Sequence, residues 1–230
     1  RWPEPVPPAP GPAGLATCLL AEGVEAGSTI VAIGPLTNLA LLGVERPDVL
    51  ARADVVMMGG WFDPLPEGLP AWGPSRDWNV QCDTTAARMV VDHAGELTMV
   101  PLSLTLRTWL RRSHLERLRA SGRLGGLLAT QAEHQGAERS TGELARFFSA
   151  LPGDLVAFLH DPFTCAVALG WPGVTLEERR VAPVLDGEVL HFAVSDHGRL
   201  VGVATGVDAE DFAALWLASV ETADHLAERR

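Results

Sequence analysis

Thr29-Ile30-Val31-Ala32-Ile33-Gly34-Pro35-Leu36-Thr37-Asn38 decides how this chain is read. Its first five residues are apolar or β-branched with no charge among them, as a strand buried on both faces requires. Gly34 and Pro35 then punctuate the chain, and a helix is predicted from there to about Gly43. The same order recurs downstream. Asp54-Val55-Val56-Met57-Met58 reads as a second strand ending at Gly59-Gly60, Asp83 to His93 as an amphipathic helix, and Leu97 to Leu102 as a third strand. Strands separated by helices predict an α/β fold, with an open, mostly parallel, Rossmann-like sheet covered by helices on both faces.

Working outward, Leu15 to Glu25 is predicted helical, and residues 1–14 are too rich in proline to hold a regular element. They read as an extended arm preceding a single domain over residues 15–230. The first residue is Arg1 and not methionine, so a fragment or processed product is expected. On the other side, Trp61 to about Gln81 reads as a long loop. Arg111 to Leu151 reads as helical, with Leu115, Leu118, Leu124, Leu127 and Leu128 as its apolar side. Glu178 to Leu185, Glu188 to Val194 and Leu200 to Thr205 follow as short strands, the first two joined at Asp186-Gly187. A helix from Ala209 to about Ala227 closes the chain.

Composition narrows the function classes. With 230 residues, 47% of them hydrophobic, the chain can bury one substantial core. A net charge of −11 argues against a nucleic-acid partner, whose backbone needs a basic face. No apolar run approaches membrane-spanning length and no signal peptide is visible, so a cytoplasmic protein is expected. The three cysteines lack metal-ligand spacing, and their odd number suggests buried thiols in a reducing compartment. Asparagine occurs only at Asn38 and Asn79, both inside motif-like segments.

In open parallel sheets, ligands bind beyond the carboxyl ends of the strands. Ile33-Gly34-Pro35, Met58-Gly59-Gly60, Thr105 and His160-Asp161-Pro162 fall at such ends. Aspartate before proline is a helix-start signal, so Asp161 is predicted to cap the helix that follows. Beside it, His160 brings a group that titrates near neutrality. Asp83 reads as another helix cap and Asn38 as a residue that satisfies backbone groups. His93, His114, His134, His191, His197 and His225 read as surface residues. No G-x-S-x-G elbow occurs, which excludes the usual serine hydrolase arrangement.

Taken in order, Val31 to Ala40, Met57-Met58-Gly59-Gly60, Asp77-Trp78-Asn79-Val80-Gln81-Cys82-Asp83 with Ala86-Ala87, Val100 to Thr105, and His160-Asp161-Pro162 resemble the calcium-dependent inosine–uridine-preferring nucleoside hydrolases. The resemblance runs from the proline arm to the final helix. It implies cleavage of the N-glycosidic bond of ribonucleosides to ribose and free base, through an oxocarbenium-like transition state. It also implies a calcium ion that orients and acidifies the attacking water. Residue by residue, Asp161 and the backbone carbonyl of Ile33 resemble calcium ligands. His160 resembles the proton donor to the leaving base, Asn79 and Asp77 the ribose-binding residues, and Met58 a pocket-lining residue. Family members commonly form dimers or tetramers, so a homo-oligomer is expected.

Three departures set limits on these expectations. Asp77 stands where the family usually has glutamate, one methylene longer. The loop Trp61 to Arg76 contains no asparagine, although the family supplies one there. The aspartate cluster that would provide calcium ligands, the general base and a ribose contact does not precede Ile33. The chain is therefore expected to lack the first strand of the sheet, to expose apolar surface there, to bind calcium weakly and to turn over little. The competing reading is a non-catalytic binding protein of the same family, or a subunit completed by another chain.

Overall fold

The computed structural model describes residues 14–62 and 64–228, so the arm expected over residues 1–14 lies outside it except for Gly14. In chain order the elements are α1 (Leu15–Glu25), β1 (Ile30–Ala32), α2 (Thr37–Glu45), α3 (Pro47–Leu50), β2 (Asp54–Met58), α4 (Trp78–Gln81) and α5 (Thr84–His93). Next come β3 (Glu96–Val100), α6 (Leu102–Thr105), β4 (Trp109–Arg111), α7 (Arg112–Ser121), α8 (Arg123–Glu138), α9 (Thr141–Phe147), β5 (Leu155–Phe158) and α10 (His160–Ala168). The chain ends with β6 (Val174–Asp186), β7 (Val189–Val194), β8 (Arg199–Val207) and α11 (Ala209–Glu228).

Six strands form one sheet in the order β1-β2-β3-β8-β6-β7. The first four are parallel, with Val55 opposite Ile30 and Leu97, and Thr98 opposite Gly202. The last two are antiparallel, and the β6–β7 hairpin folds at the turn after Asp186, as the sequence predicts. Side chains alternate across a strand, and β2 shows the result. Val55 and Met57 enter a core with Leu39 and Leu42 of α2 and Val90 and Val91 of α5. Val56 faces the other way, into a core with Phe163 of α10 and Phe212 and Leu217 of α11. Helices thus cover both faces. The outer edge of β1 has no neighbouring strand among the described residues, and Val31 and Ile33 are 37% and 43% exposed there.

Several expectations need correction. Leu124 and Leu127 are exposed, because α8 turns Ala129 and Leu128 inward instead. The loop after Trp61 does not run unbroken to Gln81; it tightens into a 3-10 turn at Pro74–Arg76 and then α4. The antiparallel pair β4–β5 joins segments too short to show a periodic pattern, with the three helices α7, α8 and α9 between them. The thiols are not buried as a group: Cys18 and Cys82 are exposed and Cys165 half-buried, all free. His114 is not a surface residue but half-buried, accepting a hydrogen bond from the Arg111 N–H at 3.3 Å.

Candidate active site

One wall of the site is stitched to the end of β2. Gly59 and Gly60 take positive φ values of 151° and 105°, a conformation that favours glycine. A Cβ on Gly60 would also meet Met99 and Phe62 at 3.0 Å. The turn aims the Gly60 N–H at Asp77 Oδ2, 2.6 Å away, while Asp77 Oδ1 caps α4 by accepting from Val80 N–H at 3.3 Å. Asp77 is only 2% exposed, and burial pushes its carboxyl up to about 6 despite these donors. Asn79, also buried, donates its amide to the Met58 carbonyl at 3.0 Å and to Met58 Sδ at 3.2 Å. Its Oδ1 has no hydrogen-bond partner among the described residues.

The opposite wall is built by α10. The helix begins two residues earlier than predicted, with Leu159 at the cap position, so Asp161 sits in the first turn and caps nothing. Its carboxylate makes no hydrogen bond or ion pair with any described residue, and partial burial raises its pKa. His160 is held more firmly. Its Nδ1 lies 2.7 Å from Thr105 Oγ1, and its ring stacks on Phe158 with centroids 5.4 Å apart. Thr105 Oγ1 also lies 3.2 Å from the Leu102 carbonyl, so its hydroxyl joins the ring to the backbone of α6. Burial, helped by the nearby Arg139 charge, lowers the imidazole pKa to about 4. At neutral pH the ring is therefore neutral.

These walls enclose a cavity of about 620 Å³. Ile33, Met58, Asp77, Asn79, His160 and Asp161, scattered over the sequence, all line it. So do Trp72, Trp78, Arg76, Arg139 and Phe158, which sequence reasoning did not single out. Two of them carry signals that a sequence hides. Phe158 is the last residue of β5, beneath His160, and Arg139 precedes Ser140, whose φ of 51° is positive, unlike that of every other non-glycine described residue. Among the described residues, no group of three or more histidine, cysteine, aspartate or glutamate side chains gathers as a metal site would.

A parallel sheet whose strand ends meet at a polar cavity rimmed by tryptophan defines an α/β ligand-binding or hydrolytic protein. The model of the inosine-uridine preferring nucleoside hydrolases matches residues 4–214, and the chain belongs to that family. It is similar to the pyrimidine-specific ribonucleoside hydrolase RihA of Klebsiella pneumoniae, at 32% identity over 82% of this chain and 57% of the relative. RihA of Salmonella paratyphi A is 31% identical over 88% of this chain and 65% of the relative. The chain spans less than two thirds of the length of either relative. In three dimensions it resembles the plant nucleoside hydrolase PpNRh1, with a TM-score of 0.77 at 24% identity over 96% of this chain and 71% of that one. A purine-preferring ribonucleoside hydrolase from Gardnerella vaginalis gives 0.75 at 22% identity, over 95% and 69%. At such identities the likeness establishes the fold.

Proposed function

We propose that the cavity is the ribonucleoside site of an N-ribohydrolase, the reaction being cleavage of the bond between ribose and base. The observation that carries this reading is the meeting of all six motif residues around one cavity. Asn79 Oδ1 and the Asp161 carboxylate are the acceptors left free for sugar hydroxyls and for a developing positive charge at the anomeric carbon. Asp77 sits between two backbone donors, so its first duty is to hold the turn that shapes the sugar side. His160 is neutral at neutral pH, so to protonate a leaving base as an imidazolium it must first take up a proton.

Calcium is the ion the family resemblance implies, and the donor set can be tested against it. Among the described residues, the cavity presents one free carboxylate, Asp161, and the carbonyl of Ile33 as the ligands the resemblance implies, where calcium takes six to eight oxygens. The described residues do not fit the ion by themselves, and no step is assigned to it. The shortfall favours weak turnover by this chain alone, and it equally supports a binding protein or a subunit whose site another chain completes. A reducing, cytoplasmic setting agrees with the three free cysteines, and self-association into a homo-oligomer completes the reading.

Calorimetry with an iminoribitol, a cationic mimic of the oxocarbenium, tests it. The mimic should bind the chain, and Asp161→Ala should weaken it by about tenfold or more, while uridine and inosine turnover stays near background. No binding of the mimic would overturn the ribose reading. Rapid turnover would overturn the expectation of weak catalysis.

A further inference from the structure

Two guanidinium groups line the cavity, and the fold uses neither. Arg76 ends a short turn held by the Asp77 N–H to the Pro74 carbonyl at 3.0 Å and by Gln81 Nε2 to the same carbonyl at 3.0 Å. Arg139 follows α8 on the other wall, and the left-handed Ser140 after it reverses the chain into α9. Such strain at a cavity rim persists where surrounding structure enforces it. Of the other described arginines, Arg46, Arg111, Arg117 and Arg119 pair with carboxylates, and Arg199 donates to the Val91 and Gly95 carbonyls. Arg107, Arg112, Arg123 and Arg146 also lack a side-chain partner among the described residues but do not line this cavity. Neither the Arg76 nor the Arg139 side chain has a hydrogen-bond or ion-pair partner among the described residues.

The acids of the cavity do not answer these charges. Asp77 is committed to backbone N–H groups, and Asp161 reaches neither arginine within ion-pair distance. In a chain of net charge −11, two unpaired cations at one cavity are out of keeping with a neutral ligand. A plain ribonucleoside carries no charge for them to meet. We propose that the cavity takes a ribonucleoside 5′-monophosphate, with Arg76 and Arg139 binding its phosphate. Guanidinium suits that task because its planar donors match phosphate oxygens and its charge is permanent. The inference rests on the N-ribohydrolase reading and deepens it. The C1′–N bond breaks, the oxygen of water bonds to C1′, and a water proton goes to the departing nitrogen. The products are ribose 5-phosphate and free base, with no oxidant or reductant.

The test is calorimetry of the intact chain with uridine 5′-monophosphate, uridine, inorganic phosphate and barbiturate, a pyrimidine that is anionic at neutral pH. The nucleotide should bind about tenfold or more tighter than uridine at low salt, an advantage that shrinks as salt rises. Arg76→Gln and Arg139→Gln should each remove most of that advantage, with thermal melts showing that both variants fold. Equal affinity for nucleotide and nucleoside overturns the proposal. So does inorganic phosphate binding as tightly as the nucleotide, which would mark a simple anion site. Tight barbiturate binding without a nucleotide advantage overturns it in favour of an anionic base. Because the readout is binding, failure of the hydrolytic reading stays distinct: it would show as lost iminoribitol binding with the nucleotide preference intact.

Discussion

Asp77 and Asp161 line the same cavity and lead opposite lives. Asp77 is buried, with one oxygen on the Gly60 N–H and the other on the Val80 N–H. Asp161 is exposed and bonds nothing among the described residues. The first carboxylate fastens α4 to the end of β2, and the second is left for a ligand. Residue type alone does not separate an acid that builds a site from one that works in it. The partners of each oxygen do.

Removing each acid is the widest way to break this contrast. Asp77→Ala leaves two backbone N–H groups without their acceptor and should cost about 2–4 kcal/mol, read as a lower urea midpoint. A loss under about 0.5 kcal/mol would show that the turn holds itself.

A smaller effect separates Asp77 from His160 by pH. The Asp77 carboxyl titrates near 6 in the folded chain, above its ordinary value of 3.8, so the folded state binds the extra proton between these values. Its contribution therefore makes stability fall as pH rises from about 4 to 6. His160, lowered from 6.5 to about 4, contributes the reverse slope over nearly the same window, because there the unfolded chain holds the proton. Urea midpoints across this range should rise more steeply with pH in Asp77→Asn than in the parent chain, and less steeply in His160→Gln. Parallel curves for all three would refute the opposed titrations.

The smallest effect is expected at Asp161. Asp161→Ala should shift stability by less than about 0.5 kcal/mol while weakening iminoribitol binding by about tenfold or more. A large stability loss would place Asp161 among the framework residues and erase the contrast.

Much of this architecture was legible beforehand, and the failures have physical causes. Asp54–Met58 was read to its bounds because a run of apolar residues between turns has few alternatives. Asp83 caps α5 as the sequence predicts, accepting from the Ala86 N–H at 3.0 Å. Asp161 was misread as a cap because aspartate before proline usually is one, while here β5 hands over to the helix at Leu159. The six motif residues were found through resemblance, and the fold brings them together. Arg76, Arg139 and Phe158 went unnoticed because an arginine after a helix or a phenylalanine ending a strand has no signature in one dimension. Only tertiary packing turns them toward the same space.

Gln81 carries a consequence for the far edge of the sheet. Its side-chain amide donates to the Leu190 carbonyl at 2.7 Å and accepts from the Leu190 N–H at 3.2 Å, imitating one rung of a strand ladder across 109 residues of sequence. The same side chain also holds the Pro74 carbonyl beside the cavity rim. The hairpin and the rim are thus coupled through a single amide. Slow deuterium exchange at Leu190 becomes a gauge of whether the Pro74–Gln81 segment is intact, legible without any ligand.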